Sequence, residues 1–360
     1  MVLSSSIAFA IALAASFGLT WPVRQFALYA GFIDHPDARK VHLRPMPLLG
    51  GVAIYAGFVM AVAVTVPVAM RMEVVGILVA ATLLAITGIL DDSGKLHHQI
   101  KLFVSMPLAA CILVAVGVRA QVFSQIFAGR TSVLLDIFLT IFWVVGITAA
   151  FSILDHMDGL CAGVAAVAAA FFTLSAALNG QRLVCTLAAA ALGASLGFLR
   201  WNFAPAKIFM GDGGAMFLGF LMATLGLKLR PASSHPIGDW LAPVLILAVP
   251  IFDTTLISIS RLRREMLPFT SPGKDHTAHR LSNLGLKHTG AVLAMYVLGL
   301  VSGALGLSVS HLSRLEIMVL CGLLFIVGVV AVILLEKSPY EDQRSRLSSS
   351  SPKENLATMD

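Results

Sequence analysis

Long apolar stretches separated by short polar segments fill almost the whole chain. A helix needs roughly 17 to 25 apolar residues to cross the hydrocarbon part of a bilayer. Eleven stretches of this length occur, over residues 3–22, 49–70, 73–90, 102–118, 133–152, 160–178, 183–200, 213–229, 241–259, 289–309 and 315–335. The pattern therefore predicts about eleven transmembrane helices.

The composition agrees with this pattern. Of the 360 residues, 58% are hydrophobic and only 12% are charged, and a single soluble core could not hold so much apolar surface. We expect an all-α polytopic integral membrane protein with one transmembrane domain over residues 1–335. The polar, serine-rich segment 336–360 is predicted to be a disordered tail. The first stretch lacks a basic start and a cleavage site, which predicts a retained anchor and not a signal peptide.

The basic residues are divided unequally between the two sides of the predicted bundle. Of the 25 Lys and Arg residues, 18 fall on the side that holds residues 23–48, and 7 fall on the other side. Cytoplasmic loops of membrane proteins carry the excess of Lys and Arg. The N-terminus is therefore predicted to lie outside and the C-terminus in the cytoplasm.

Two adjacent carboxylates, Asp91 and Asp92, end the third apolar stretch, and Lys95 and Lys101 follow them. Such a pair is either a solvated helix end or a functional site, because acids at a membrane edge are functional candidates. Side by side at low dielectric constant, they need a cation, a shared proton or the nearby lysines to remain ionised. Three further polar clusters predicted on the same side favour the functional interpretation.

Two other clusters are acidic. Asp155 and Asp158 stand three residues apart, which places them on one face if the segment is helical, and their loop holds no Lys or Arg. Asp212 lies in the run Gly-Asp-Gly-Gly at the start of the eighth stretch. Amides at a helix N-terminus are predicted to form an anion nest there, while the carboxylate suits Mg²⁺.

The remaining polar segments are basic. The loop before the second stretch carries Arg44 among charges that serve topology or bind a phosphate. The long loop after the ninth stretch carries His276, His279 and Arg280, which suit a diphosphate. Zinc is the competing ligand, but no cysteine or second histidine pair completes such a site. Asp253 is either a structural partner of one of these bases or part of the site.

The four cysteines lie in or at the ends of apolar stretches and show no CxxC spacing. They are predicted to be packing residues and not a disulfide or metal set.

Five segments in this order resemble the polyprenyl-phosphate N-acetylhexosamine-1-phosphate transferase family, the MraY and WecA type enzymes that start cell-envelope glycans such as peptidoglycan and O-antigen. The segments are DARKVHLRPMPLLGG, GILDDSGK, DHMDGLCAG, NFAPAKIFMGDGGAMFLG, and PIFDTT followed by KDHTAHRL. They span about residues 30 to 290. Each segment alone is a weak signal, whereas the ordered set is specific.

The resemblance implies a ten-helix core with its active site at the cytoplasmic face of the bacterial inner membrane. It implies that undecaprenyl phosphate attacks the β-phosphate of a UDP-amino sugar, with UDP-GlcNAc favoured, so that UMP leaves and a lipid-linked diphosphate sugar forms. The implied cofactor is Mg²⁺, with Mn²⁺ as a substitute. The implied partners are these substrates and the lipid bilayer, without nucleic acid; a homodimer is the assembly considered.

The positions that match the family carry its implied roles. Asp91 is expected to activate or orient the lipid phosphate, while Asp212 binds Mg²⁺ with support from Asp92. The other residues implied in catalysis are Asp155, His276, His279 and Arg280, and those implied in substrate binding are Arg44, Lys95, Lys101, Asp158, Asn202 and Phe209, the last three at the uracil. Phosphoryl transfer depends mainly on positioning and charge neutralisation, which such a set supplies.

Five positions depart from the usual family residues, namely Ala149, Ser152, His156, Gly213 and Ala215. Ala149 and Ser152 stand where the family usually has asparagines. His156 stands where a glycine usually follows the first aspartate, and Gly213 and Ala215 stand where serines are usual. These changes remove side-chain hydrogen bonds near the sugar and diphosphate. The identity of the nucleotide sugar is therefore left open.

Other membrane proteins fit the sequence less well. A CDP-alcohol phosphatidyltransferase would need an Arg after the Asp-Gly pair, and a UbiA-like prenyltransferase would need a third aspartate where Lys95 stands. An aspartyl membrane protease would need Gly-x-Gly-Asp, but Met210 precedes Gly211. A secondary transporter that uses these acids as an ion path would need them at mid-membrane, whereas most are predicted at one face.

Overall fold

The computed structural model describes residues 2–35, 45–67, 71–96, 98–231, 236–266, 273 and 275–338. The helices are α1 (Val2–Ala30), α2 (Gly50–Thr65), α3 (Arg71–Asp92), α4 (His98–Ile100), α5 (Met106–Ala115), α6 (Phe123–Ile126), α7 (Arg130–Leu154), α8 (Leu160–Leu178), α9 (Arg182–Asn202), α10 (Gly211–Lys228), α11 (Pro236–Ile246), α12 (Ala248–Arg263), α13 (Thr277–Asn283), α14 (His288–Ser308) and α15 (Arg314–Glu336). A π-helical turn, Lys101–Ser105, precedes α5. The strands β1 (Ile33–Asp34) and β2 (Met46–Pro47) form a small antiparallel pair. The predicted all-α class is confirmed.

Each of the eleven predicted apolar stretches coincides with helical structure. Seven helices are long and apolar enough to cross a membrane, and the bent pair α11 and α12 makes an eighth. This pair meets at 76°, close to Pro243 and Pro250, and proline interrupts the helical hydrogen-bond ladder. A multi-pass membrane protein is thus established, whereas the count of eleven spans stays a prediction. Of the predicted tail, residues 339–360 lie outside the described residues.

Helix α10 is at the centre of the bundle. All its residues except Asp212 and Lys228 are buried, which agrees with a sequence that is apolar on every face. It runs antiparallel to α3, and an ion pair between Lys228 and Glu73 joins the end of α10 to the start of α3. At the opposite end of this helix pair, the acids that end α3 therefore lie next to the start of α10.

Glycines allow the start of α10 to touch its neighbours backbone to backbone. A Cβ atom on Gly88 of α3 would lie 2.5 Å from the Cα of Gly213, and one on Gly51 of α2 would collide with the backbone of Gly214. Membrane helices approach this closely only where side chains are minimal. Gly213, which departs from the usual family residue, is therefore needed for packing against α3, since its own Cβ would lie 2.8 Å from Ile89.

We expect Gly88→Ala to destabilise the protein by about 1–3 kcal/mol, because the added methyl group would meet backbone atoms that cannot move aside. Gly146→Ala in α7 is the matched control, since a Cβ there meets nothing within 4 Å. Thermal unfolding of both variants in detergent measures the effect. An equal melting temperature for the two variants would show that α3 and α10 can separate without cost.

Candidate active site

Asp91, Lys101 and Asp212 form the centre of the acidic cluster. The Lys101 ammonium donates to Asp91 Oδ2 at 2.7 Å and also to Asp212. All three side chains are mostly buried, with exposed fractions of 15–21%. Opposite charges attract more strongly there than at an open surface. Two carboxylates from different helices are thus held together by one cation.

Ser152 completes the surroundings of Asp212. Its hydroxyl donates to Asp212 Oδ1 at 2.8 Å from the last turn of α7. The predicted loss of a hydrogen bond at this position is therefore wrong, because serine in place of asparagine still provides a donor. No sequence signal linked Ser152 to Asp212, since the two residues are 60 positions apart.

The carboxylate of Asp92 caps the N-terminus of α10. It accepts hydrogen bonds from the amide of Asp212 at 3.0 Å and from that of Gly213 at 3.4 Å. Gly211 has a positive φ of 73°, and a Cβ there would lie 2.5 Å from Asp92 Oδ2. A negative charge at this position also stabilises the helix dipole. The anion nest predicted from the glycine run is therefore filled from within the protein and does not face a substrate phosphate.

Residues 155–159 form a turn, so the prediction that Asp155 and Asp158 share one face of a helix is wrong. Helix α7 ends at Leu154, and Gly159 takes a left-handed φ of 76° before α8 begins. The two acids consequently have different surroundings. Asp155 lies near the Asp91–Asp212 centre, whereas Asp158 contacts the loop between α9 and α10.

Asp158 and Asn202 clamp this turn to the loop between α9 and α10. Asp158 Oδ2 accepts from the Ala206 amide at 2.9 Å, and Asn202 Oδ1 accepts from the Gly159 amide at 3.0 Å. The Asn202 amide group also donates to the Ile208 carbonyl at 3.0 Å. These contacts order the loop that leads to Asp212. The predicted contact of both side chains with uracil stays a prediction.

Three imidazoles cluster next to Asp155, and two of them stack. The rings of His156 and His276 have centroids 3.8 Å apart and an interplanar angle of 23°, and His279 lies 4.8 Å from His156. Buried Asp253 accepts from the Thr277 amide at 2.7 Å, and its Oδ2 lies 3.1 Å from His276 Nδ1. Asp253 is thus the structural partner of His276, one of the two roles that its sequence position allowed.

His156 is neutral in this cluster. Burial, and then the neighbouring His276 and His279, lower its pKa well below the usual value. Its Nδ1 lies 3.0 Å from the Leu154 carbonyl, so this nitrogen carries the proton. The buried Nε2 is then an acceptor without a hydrogen-bond partner among the described residues. A hydroxyl or amide hydrogen of a substrate would satisfy it.

Arg280 is fully buried, and each of its guanidinium nitrogens donates to the protein. Nε bonds the Asp275 carbonyl at 2.8 Å, Nη1 bonds the Leu335 carbonyl at 2.7 Å and Nη2 bonds the Ser260 hydroxyl at 2.7 Å. These bonds join α12, α13 and α15. The predicted diphosphate contact would require their rearrangement, so the described contacts of Arg280 are structural.

The remaining predicted residues are more peripheral. Lys95 is exposed in the turn after α3. Phe209 is partly buried, and its backbone bonds Pro47 at 2.9 Å and Gly50 at 3.0 Å. Arg44 lies outside the described residues.

The donor set fits Mg²⁺ better than zinc. In the described part of the chain, no group of three His, Cys, Asp or Glu residues lies close enough together to hold a metal ion by itself, as a structural zinc site needs. Mg²⁺ commonly uses only one or two carboxylates and completes its shell with water and substrate phosphates. Burial, and then the charges of nearby carboxylates, raise the pKa of Asp155 to about 8. A divalent cation bound nearby would stabilise the ionised form of this carboxyl.

Known proteins resemble this chain over most of its length. The profile of glycosyl transferase family 4 matches residues 74–230. A Bacillus subtilis protein named probable undecaprenyl-phosphate N-acetylglucosaminyl 1-phosphate transferase is 36% identical over 297 residues, which cover 82% of each chain. The decaprenyl-phosphate N-acetylglucosaminephosphotransferase of Mycobacterium tuberculosis is 32% identical, covering 88% of this chain and 85% of its own. The undecaprenyl-phosphate alpha-N-acetylglucosaminyl 1-phosphate transferase of Escherichia coli is 29% identical over a match that covers 73% of this chain and 72% of the Escherichia coli protein.

Proposed function

Because the chain belongs to glycosyl transferase family 4, as polyprenyl-phosphate N-acetylhexosamine-1-phosphate transferases do, we propose that it transfers N-acetylglucosamine 1-phosphate from UDP-GlcNAc to undecaprenyl phosphate. The relatives are named for this sugar phosphate and for polyprenyl phosphate acceptors. The proposal places the enzyme in the bacterial inner membrane, with the site at the cytoplasmic face. The reaction would be the first membrane step in the synthesis of a cell-envelope glycan.

The joining of Asp91 and Asp212 through Lys101 is the observation in the site that carries this proposal. Phosphoryl transfer between two anionic substrates needs a place where negative charge is gathered and neutralised. A lysine between two carboxylates, one at the end of α3 and one in the first turn of α10, provides such a place. In the proposed complex, the lipid phosphate reaches this place while its chain remains in the bilayer.

In the proposed reaction, an oxygen of the lipid phosphate attacks the β-phosphorus of the UDP-sugar. A new P–O bond forms, the bond from that phosphorus to the bridging oxygen breaks, and UMP leaves with the electron pair. Asp91 orients the attacking phosphate, and Lys101 offsets the charge that accumulates near it. The neutral His156 accepts a hydrogen bond from the sugar, beside His276 and His279.

Asp212, with Asp92 behind it, would hold Mg²⁺. The ion, when bound, neutralises the diphosphate and makes UMP a better leaving group. Ser152 keeps the Asp212 carboxylate oriented, and Asp92 fixes the backbone that carries it.

The transporter alternative is less consistent with the structure. A proton or cation path would place its acids along the middle of the membrane-crossing helices. Here Asp91 and Asp92 end α3, and Asp212 lies in the first turn of α10. The acids thus gather at one end of the bundle.

The direct test is transfer of radiolabel in isolated membranes. We expect UDP-[³H]GlcNAc and undecaprenyl phosphate to give labelled lipid and an equal amount of UMP, with loss of both products after chelation by EDTA. UDP-GalNAc and UDP-MurNAc-pentapeptide serve as alternative donors in the same assay. Labelled lipid from one of these and none from UDP-GlcNAc would change the assigned sugar; no product from any donor would reject the function.

The proposed orientation predicts which ends are reached by reagents from outside. In a variant without the natural cysteines, a cysteine at Arg130, at the start of α7, should react with an impermeant maleimide in intact cells. A cysteine at exposed Lys337 should react only after the membrane is opened. The opposite labelling would place the site outside. The homodimer stays a prediction, which cross-linking in the same membranes would test.

A further inference from the structure

Helix α15 packs against the rest of the protein along one side of its first half and again at its last turn. Ile317 is its one buried residue, and it packs with Leu245 and Val309 near the start of the helix. Most of the following apolar side chains are exposed, as expected for a surface that faces lipid. The last two positions of the helix, Leu335 and Glu336, make polar contacts with Arg280.

This second attachment is a buried ion pair. Arg280 of α13 is 0% exposed, and its Nη2 lies 2.8 Å from Glu336 Oε1, whose side chain is 10% exposed. Its Nη1 donates to the Leu335 carbonyl at 2.7 Å. Arg263 also approaches Glu336, at 3.5 Å, but its side chain is 68% exposed and its contribution is correspondingly small. Glu336 is therefore the carboxylate that the described residues place against this fully buried guanidinium, as a contact of opposite charges without hydrogen-bond geometry at Oε1.

The position of Arg280 along the chain gives this pair its importance. Arg280 directly follows His279 in the seven-residue helix α13, which starts next to His276. A helix this short is not stable by itself and depends on its contacts. Arg280 also donates hydrogen bonds to the Asp275 carbonyl and the Ser260 hydroxyl. The position of both histidines thus depends on where this guanidinium is held.

We infer that Glu336 is a positioning residue of the active site, which acts through Arg280 to hold His276 and His279 beside His156. This inference rests on the proposed function. It implies that α15, through its last turn, holds α13 in place. The role of Arg280 is accordingly to orient α13 and not to touch the substrate.

Glu336→Ala removes the carboxylate that faces the buried guanidinium of Arg280, so α13 should loosen. We expect the KM for UDP-GlcNAc to rise at least fivefold and kcat to fall about tenfold, while the KM for undecaprenyl phosphate is unchanged. A general loss of folded enzyme would lower the apparent kcat but shift neither KM. Hydrogen–deuterium exchange of the peptide that covers 277–283 should be faster than in the unmodified protein. Glu336→Asp should recover part of both effects.

Glu316→Ala is the matched control, because Glu316 caps the opposite, exposed end of α15. It should leave donor KM, kcat and exchange of α13 within twofold of the unmodified values. If Glu336→Ala fails to accumulate in membranes, Glu336→Gln, which keeps the size and one acceptor oxygen, replaces it in all measurements.

Unchanged exchange of α13 together with an unchanged donor KM in the Glu336 variants would overturn the inference. A parallel rise in both substrates' KM values would overturn it as well, since that pattern indicates a site disturbed as a whole. If the unmodified protein shows no transfer but Glu336→Ala still loosens α13, the positioning role stands and the proposed function falls.

Discussion

Asp212→Asn is expected to lower transfer by about two to three orders of magnitude, the loss that follows removal of one main electrostatic stabiliser. The amide keeps the size of the side chain but carries no charge, so it neither balances Lys101 nor holds a divalent cation as a carboxylate does. Ser152 still finds an oxygen acceptor on the amide, so the helix packing is expected to survive. The loss should therefore be chemical and not structural.

Turnover at increasing Mg²⁺, with the melting temperature measured in parallel, checks this expectation. Glu73→Gln is the control, because Glu73 pairs with Lys228 at the far end of the same two helices. That variant should lose an ion pair of the same kind and retain activity. Full activity of Asp212→Asn at limiting Mg²⁺ would remove Asp212 from the metal site.

Lys101→Gln is expected to lower transfer by about a hundredfold, as loss of a positioned cation does in other active sites. Without the ammonium, Asp91 and Asp212 face each other with no neutralising group between them, and one must take up a proton or move away. Breaking a largely buried ion pair in this way also costs about 3–5 kcal/mol of stability.

The magnesium dependence of Lys101→Gln distinguishes two roles of the lysine. If Lys101 only neutralises the acids, added Mg²⁺ should restore much of the activity, because a second cation can replace the first. If Lys101 also binds a substrate phosphate, kcat should stay low at every Mg²⁺ concentration. Lys228→Gln, the matching change at the opposite end of α3 and α10, should leave activity unaltered. Wild-type turnover in Lys101→Gln would contradict both roles.

The sequence predicted the chemical identity of the site better than its connections. Asp91, Asp155 and Asp212 were all named from motifs, and the structure brings them together at one end of the bundle. Their partners were not predictable in the same way. Lys101 and Asp212 are separated by 111 residues, and Asp253 and His276 by 23. A motif records which residues occur but does not state which of their atoms are already bonded.

Several predicted roles changed for this reason. The glycine run before α10 indicated free amides, but Asp92 already bonds them. Arg280 was predicted to donate hydrogen bonds to a diphosphate, but its nitrogens bond three residues of the protein. Both differences follow from burial, because polar groups that leave water must find partners nearby, whatever their pattern in the sequence suggests.

By itself, the amino-acid sequence determined that this protein is a bundle of membrane helices and that its polar segments belong to a sugar-phosphate transferase family. Both conclusions depend on local quantities, the length of apolar runs and the order of short motifs. Only the tertiary structure decided which helices touch. The long helices of the bundle are apolar, so hydrophobicity does not select among them, and close fit does. The glycine contacts of Gly88 with Gly213 and of Gly51 with Gly214 set that fit, and thereby the position of Asp212.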